Sequence, residues 1–175
     1  MVRILIIILA ITINIGLAYP QLTYEGKYDT NLKTIQLEDG SVKYVKLNYK
    51  SDQLMIFNMD HSMWKEIDLN IPKYHFIDDV KLISQRTFDQ DDQYEILYTC
   101  YTFENSQNLE SPESINSKHL FTLKIVNESG KELLKVENAS EYKLLQINGI
   151  NKLLIFTSED SGFNTINYTE IYSLN

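Results

Sequence analysis

The sequence is poor in cysteine. Cys100 is the only one among 175 residues, so no disulfide can form within the chain. Stability must therefore come from a packed core. Cys100 lies in the segment 96–101, which is apolar on both faces of a predicted strand, and no basic residue lies nearby. Because reactive thiols need an electropositive, partly open site, we expect Cys100 to be buried and inert.

A surplus of positive charge is also missing. The chain has 16 Lys and Arg against 24 Asp and Glu, a formal net charge of −8. A basic surface of the kind that attracts nucleic acid or an anionic membrane is therefore not expected. The charge balance argues against nucleic acid as a partner and is compatible with a protein that works outside the cell.

Helical periodicity and catalytic motifs are missing as well. No useful run of apolar residues at a 3.6-residue spacing follows residue 18, so helix should be nearly absent. His-Glu-x-x-His, Gly-x-Ser-x-Gly, phosphate-loop and Cys-x-x-Cys patterns do not occur. The tripeptide Asp60-His61-Ser62 contains the three residue types of a hydrolase triad. Neighbours in a tight turn cannot face one another as that chemistry requires, so we interpret Asp60 as a turn residue that accepts backbone hydrogen bonds.

A hydrophobic run of more than a few residues occurs only at the N-terminus. Arg3 precedes the apolar segment 4–13, and Gly16 and Ala18 place small residues where a signal peptidase cleaves. Asn14 and Gly16 keep the apolar run shorter than the roughly 20 residues that span a bilayer. We therefore predict a signal peptide over 1–18, a mature chain of 19–175 that is secreted or at the cell surface, and no stable membrane insertion after cleavage.

What the chain does contain is a repeated β-hairpin. Two apolar strands flank a polar turn in residues 53–69, and a similar unit recurs in 120–136. A partial third copy is found in 168–174. The 12 Tyr and 7 Phe, with abundant Ile, Val and Thr, favour strands over helices. Repeats of this kind are typical of architectures built by stacking one small unit.

The strand pattern divides the mature chain into three units within one domain. They cover residues 32–71, 77–138 and 141–175, and the third lacks a fourth strand that residues 22–28 could supply. Four antiparallel strands in about 40 residues match the size of a propeller blade, although closed propellers usually have about 4 to 8 blades. We predict an all-β fold of blade-like units, as a three-bladed toroid or partial propeller, with a sandwich or open solenoid as the alternative.

The order of several short motifs resembles a repeat in exported proteins of Bacteroidota that use the type IX secretion system. The motifs are IFNMDHSMWKEIDLNIP, LISQRTFDQDDQYEILYT, IVNESGKELL and TEIYSLN, and together they place the resemblance over residues 43–175. The resemblance implies a β-propeller-like repeat protein. A C-terminal sorting domain often follows this repeat, and we do not expect one within residues 43–175.

Two groups of residues are candidates for binding. Trp64 falls on the polar side of its strand by simple alternation, where it could stack on a sugar ring or a partner. Tyr98 and Tyr101 are further candidates, with core packing as the alternative reading for all three. The acidic turn offers a possible calcium site, because calcium takes several oxygen ligands from one short loop. Its candidate ligands are Asp89, Asp91, Asp92 and Glu95, and the alternative is a solvated hairpin turn.

These observations favour an exported, non-catalytic β-repeat protein that recognises an extracellular protein or glycan and needs no cofactor. An alternative is a secreted hydrolase whose carboxylates come from separate turns, such as Asp89, Asp91 and Asp160. Two carboxylates about 5 to 9.5 Å apart in a concave pocket would favour that alternative. A structural spacer is the third possibility, and the sequence leaves the oligomeric state open.

Overall fold

The structure, a computed structural model, describes residues 24–28, 32–89, 91–104, 118–148, 150–160 and 164–174. Within these ranges the regular elements are all β-strands, and no helix occurs, which confirms the prediction of an all-β fold. The strands are β1 (Lys33–Gln36), β2 (Val42–Asn48), β3 (Gln53–Phe57), β4 (Met63–Asp68), β5 (Phe76–Ser84), β6 (Glu95–Phe103), β7 (His119–Asn127), β8 (Glu132–Glu137), β9 (Ala139–Ile147), β10 (Ile150–Asp160) and β11 (Thr165–Leu174).

These strands form three antiparallel sheets in chain order. Sheet 1 has the order β1-β2-β3-β4, sheet 2 has the order β5-β6-β7-β8, and sheet 3 has the order β11-β10-β9. Each sheet is a simple meander in which consecutive strands pair. Two sheets of four strands and one of three agree with the predicted four-stranded units and with the shorter third unit.

The repeated hairpin of the sequence is the same structure in both copies. In the β3–β4 turn the amide of Asn58 donates to the carbonyl of Ser62 at 2.9 Å. In the β7–β8 turn the amide of Asn127 donates to the carbonyl of Lys131 at 3.0 Å. Each hairpin also has a register shift just beyond its turn. The two segments therefore share backbone geometry as well as sequence pattern.

The fourth position of this turn needs a left-handed backbone. The φ angle is 82° at Gly130 and 69° at His61, and the β1–β2 turn places Gly40 at 81°. Glycine adopts this conformation without steric cost, whereas other residues rarely do. Space is also limited at Gly130, where an added Cβ would lie 2.6 Å from the side-chain nitrogen of Asn70.

The three sheets stack face to face with sheet 2 in the middle. Side chains alternate between the two faces of a strand, so Ile96 and Tyr98 of β6 face sheet 1 while Leu97 faces sheet 3. This explains why segment 96–101 is apolar on both sides. The first core comprises Leu37, Val45, Leu54, Ile56, Ile67, Leu69, Ile77, Val80, Ile83, Ile96, Tyr98, Cys100 and Val126, and the second core comprises Leu97, Leu123, Ile125, Val136, Ala139, Leu153 and Ile155.

Cys100 lies in the first core with no exposed surface. Burial raises the pKa of its thiol to about 11, so the reactive thiolate is scarce at neutral pH. The prediction that Cys100 is buried is confirmed. Each fully buried Leu or Ile of the two cores contributes about 1.5–3 kcal/mol, which replaces the stabilisation that disulfides give to many small exported domains.

Polar contacts also join sheet 1 to sheet 2. The Asn70 side chain donates to the carbonyl of Gly130 at 2.6 Å. The Lys65 ammonium lies 2.5 Å from the Glu128 carboxylate. These contacts link the β4 region to the β7–β8 turn, so the two repeated hairpins lie side by side in adjacent sheets.

The expected completion of sheet 3 by residues 22–28 is not seen in the part of this segment that the structure describes. Residues 24–28 form no strand, and the Tyr28 hydroxyl lies 2.6 Å from Nδ1 of His61 in sheet 1. The aromatic rings of Tyr28 and His61 stack at 5.7 Å, which holds the segment against the wrong sheet for that pairing. The predicted signal peptide, 1–18, lies outside the described residues. Among the residues described, no helix could cross a membrane.

Candidate functional site

Trp64, the first predicted binding residue, packs against the first core. Its ring makes an edge contact with Tyr94 at 5.1 Å, and the ammonium groups of Lys43 and Lys65 lie 4.8 and 5.4 Å from its centre. Strict alternation, which placed Trp64 on the polar face, does not hold in this strand. Phe57 pairs with Met63 and the adjacent Ile56 pairs with Lys65, so Trp64 has no partner in β3. Trp64 is the extra residue of this bulge, which turns its ring inward and leaves Met63 on the outer face.

Tyr98, the second predicted binding residue, has no exposed surface. Its hydroxyl donates to the carbonyl of Leu69 at 2.6 Å, across the interface between sheets 2 and 1. Burial raises the pKa of this phenol well above its usual range. Tyr98 is therefore a core residue, which agrees with the core-packing alternative, and it presents no surface to a ligand in this structure.

Tyr101, the third predicted binding residue, is the central ring of a half-exposed aromatic cluster on sheet 2. The centroids of its four neighbours lie 4.7 to 6.0 Å away. One neighbour, Phe76, keeps 52% of its surface exposed, and the His119 ring is exposed as well. We call this cluster the aromatic patch, and its members are Phe76, Tyr101, Phe103, His119 and Phe121.

Strand register explains why these rings meet. Tyr101 of β6 pairs with Phe76 of β5 on one side and with Phe121 of β7 on the other. Phe103 pairs with His119 two residues further along. Paired residues in an antiparallel sheet share one face, so all five side chains project on the side of sheet 2 that faces sheet 3. They extend beyond the second core, where sheet 3 leaves them partly open to solvent.

A cleft of about 350 Å³ adjoins the aromatic patch between sheets 2 and 3. His119 and Phe121 belong to both, so one wall of the cleft is aromatic. The opposite wall is polar and comes from the β8–β9 junction and the end of β10. The lining residues are Glu104, Lys118, His119, Leu120, Phe121, Asn138, Ser140, Ser158, Glu159 and Asp160.

No family model, curated protein or solved structure matches this chain. The function is therefore inferred from the residues of this chain and from their geometry.

The acidic turn is organised around Glu95, which is fully buried. Its carboxylate accepts hydrogen bonds from the backbone amides of Thr87 and Phe88 at 3.1 Å and from that of Asp89 at 2.5 Å. Burial nevertheless raises the pKa of Glu95 to about 7. The role visible for this carboxylate is to hold the loop after β5 against the start of β6.

The other predicted calcium ligands also make local contacts. The Asp89 carboxylate accepts the amide of Asp91 at 3.0 Å, and the Asp91 carboxylate accepts the amide of Gln93 at 2.7 Å. Asp92 lies 4.0 Å from the guanidinium of Arg86. Within the described ranges, no three His, Cys, Asp or Glu side chains converge as a metal site requires. The calcium site suggested by the sequence is therefore not assembled among these residues, and the Glu95, Asp89 and Asp91 carboxylates instead accept hydrogen bonds from backbone amides of the turn.

Asp160 lies far from Asp89 and Asp91, the other two carboxylates named for a hydrolase. The Asp89 amide contacts Glu95, the first residue of β6. The Asp160 carboxylate lies 2.9 Å from the Lys118 ammonium. Lys118 directly precedes His119, which pairs with Phe103 at the end of β6. A nine-residue strand spans about 26 Å at about 3.3 Å per residue. This separation is well beyond the roughly 5 to 9.5 Å that paired catalytic carboxylates need.

Sequence reasoning missed four of the five rings in the aromatic patch. A signal was present, because Tyr101 and Phe103 alternate in one predicted strand while His119 and Phe121 alternate in the next. Aromatic residues at a spacing of two share a face of a strand. Adjacent strands with this pattern place their rings together only if the register matches, and the register was unknown.

Proposed function

We propose that this protein is an exported, non-catalytic β-repeat protein that recognises an extracellular glycan at the aromatic patch and the adjoining cleft. The observation that carries the proposal is the continuity of five clustered rings with a cleft of about 350 Å³ that has a polar wall. Binding sites for small ligands are typically concave, about 300–1,000 Å³ in volume, and combine aromatic surface with a few polar groups.

The chemistry of the site favours a glycan over a protein surface. A sugar ring has an apolar C–H face, which can pack on exposed rings such as Phe76 and His119. It also has hydroxyl groups around its edge, which can exchange hydrogen bonds with Asn138, Ser140 and Ser158. A protein partner would instead need a contact of at least about 1,000 Å². A short protein segment in the same cleft is the second outcome that the experiment below can detect.

The absence of catalysis is part of the proposal. Of the carboxylates considered for hydrolysis, Asp160 lies at the opposite end of β6 from Asp89 and Asp91, and the buried Glu95 binds backbone amides. In the cleft itself, Asp160 forms an ion pair with Lys118 at 2.9 Å. Among the residues described, these contacts of the acidic groups favour a binding protein over a hydrolase.

We also propose that the three sheets are consecutive blades of a propeller. Each is a meander of consecutive strands, and sheet 2 packs against a neighbour on both faces, as a blade does in a ring. A simple sandwich would have only two layers. Export by way of residues 1–18, and the relation to type IX cargo, stay predictions from the sequence.

A glycan array with the secreted chain, followed by calorimetry on any hit, tests the binding proposal. Phe76→Ala removes the most exposed of the Phe and Tyr rings in the patch and should weaken binding about tenfold, the effect of losing roughly 1.4 kcal/mol. Tyr101→Ala should weaken binding further. Tyr49→Ala is the matched control, because Tyr49 is 62% exposed and lies in the β2–β3 turn.

Three results would contradict the proposal. Binding could be unaffected by Phe76→Ala, it could fall equally with Tyr49→Ala, or no glycan could bind. The last result, combined with capture of a peptide in the same cleft, would favour protein recognition, and with no binding at all would favour a spacer. Circular dichroism of each variant separates lost binding from lost folding.

A further inference from the structure

The cleft beside the aromatic patch has an unpaired carboxylate on each of its two walls. Glu104 follows the end of β6 in sheet 2, and Glu159 belongs to β10 in sheet 3. Glu159 alternates in step with Leu153 and Ile155, which face the second core, so its side chain points toward sheet 2. In the part of the chain that the structure describes, neither carboxylate forms an ion pair or a hydrogen bond.

Among the described residues that line the cleft, Lys118 is the only Lys or Arg, and it is already paired. Its ammonium lies 2.9 Å from the Asp160 carboxylate, so this ion pair joins the sheet 2 wall to the sheet 3 wall. His119 is the other basic group of the lining. An anionic ligand would therefore be repelled by the two unpaired carboxylates, whereas a cationic ligand would be attracted by both.

The apolar surface around the cleft is wider than a single sugar ring. In sheet 2, Phe76 and Phe121 flank Tyr101 on β5 and β7, about 10 Å apart at about 4.8 Å per strand. In sheet 3, Ile166 pairs with Glu159 and so shares its face, and 44% of the Ile166 surface is exposed. Apolar surface therefore extends beside the cleft onto β11, which suits a chain of several sugar units.

We infer that the ligand is an oligosaccharide of amino sugars whose amines are free and positively charged. Its sugar rings would pack their C–H faces on the aromatic patch, and an ammonium group would lie between Glu104 and Glu159. An ammonium group is also attracted to the faces of aromatic rings, which adds to the same preference. This inference rests on the proposed function and deepens it, because it names the class of glycan for the same cleft.

Three tetrasaccharides with one β-1,4-linked glucan backbone test this preference by calorimetry. They are the tetramers of glucose, which is neutral, of glucosamine, which is cationic, and of glucuronate, which is anionic. At about pH 6 the free amines are protonated, as an α-amino group is. All probes are measured at this one pH, so each meets His119 in the same charge state.

The expected differences follow from the two carboxylates. A unit charge about 6 Å from one carboxylate in water changes the affinity about threefold, and two carboxylates change it about tenfold. We therefore expect the glucosamine tetramer to bind about tenfold tighter than the glucose tetramer, and the glucuronate tetramer about tenfold weaker. Most of both differences should disappear at about 1 M salt, where the screening length is about 3 Å.

Glu159→Gln and, separately, Glu104→Gln should each lower the ratio of glucosamine affinity to glucose affinity about threefold. Glu141→Gln is the matched control, and it should leave this ratio unchanged. It removes the same charge from an exposed position in sheet 3, but Glu141 pairs with Phe156 on the face that points away from sheet 2. Circular dichroism checks that each variant folds.

Tetralysine is the control among the ligands, because it carries positive charge without a sugar ring. It should bind much more weakly than the glucosamine tetramer. Equal binding of tetralysine, or an equal effect of Glu141→Gln and Glu159→Gln, would overturn the inference, because the overall negative charge of the protein would then explain the preference.

The outcomes also separate this inference from the proposed function. Glucose binding as tight as glucosamine binding, or glucuronate binding tightest, would refute the amino-sugar class and leave glycan recognition in place. Failure of all three tetramers to bind would refute this inference, and the glycan array then decides separately on the proposed function.

Discussion

The hydroxyl of Tyr98 provides the sharpest test of how sheets 1 and 2 are joined. The ring is fully buried, and its O–H donates to the carbonyl of Leu69, which is also fully buried, at 2.6 Å. Tyr98→Phe keeps the ring and removes only the oxygen atom. The Leu69 carbonyl then loses its side-chain donor at a place that water does not reach.

The expected loss follows from that burial. Leaving a buried acceptor without its partner costs about 1–3 kcal/mol, out of about 5–15 kcal/mol for the unfolding of a typical domain. With a urea dependence of about 2 kcal/mol per molar, a loss of about 2 kcal/mol lowers the unfolding midpoint by about 1 M. The dependence itself should not change, because the same surface is exposed on unfolding.

Urea unfolding followed by tryptophan fluorescence is the assay. Trp64 is the only tryptophan and packs against the first core, so its emission reports on the same interface. Tyr142→Phe is the control, because its hydroxyl contacts the Lys81 carbonyl at 3.3 Å and is only half-buried. It should cost less than about 1 kcal/mol. Equal losses in the two variants, or no loss in Tyr98→Phe, would refute the reasoning.

Two further predictions concern a buried carboxyl and a turn glycine. Burial raises the pKa of Glu95 from 4.5 to about 7, so between these values the folded state binds more protons than the unfolded state, and the contribution of Glu95 to stability falls as pH rises. The free energy of unfolding should therefore fall by about 3 kcal/mol between pH 4.5 and pH 8, which is measured from the shift of the urea midpoint. Glu95→Gln should abolish this pH dependence, whereas Asp92→Asn should keep it. Gly130→Ala should lower the free energy of unfolding by about 1–2 kcal/mol for its left-handed backbone and by a further amount for the contact with Asn70. Gly40→Ala, at φ 81° with no atom within 4 Å of the added Cβ, should show only the first cost, and equal losses in thermal unfolding would argue against the contact.

The strands and the repeated hairpin could be predicted from the sequence because both depend on nearby residues. Alternating apolar residues specify a strand with one buried face, and a turn with Gly130 or Gly40 at its left-handed position specifies a tight hairpin. The two hairpins match from Ile56 to Ile67 and from Ile125 to Val136 without a gap. Their shared turn hydrogen bonds show that this similarity is structural.

The candidate site was predicted less well. Tyr101 was identified, but Tyr98 is buried in the first core and Trp64 is partly buried against it. Alternation failed for Trp64 because β4 contains one extra residue at this position. Strict alternation counted across that residue therefore assigns the side chains before it to the wrong face of the sheet. The described residues of the acidic turn do not converge as a metal site, and the carboxylates of Glu95, Asp89 and Asp91 each accept a nearby backbone amide.

The sequence by itself determined that the described chain forms strands, where the three units divide, and which turns repeat, because period-two patterns and turn residues act over a few positions. Tertiary structure alone decided that β6 is covered on both faces and that five rings from three strands meet in the aromatic patch. These features depend on register and on the stacking of sheets. Both are set by contacts between residues far apart in the chain, which no local pattern encodes.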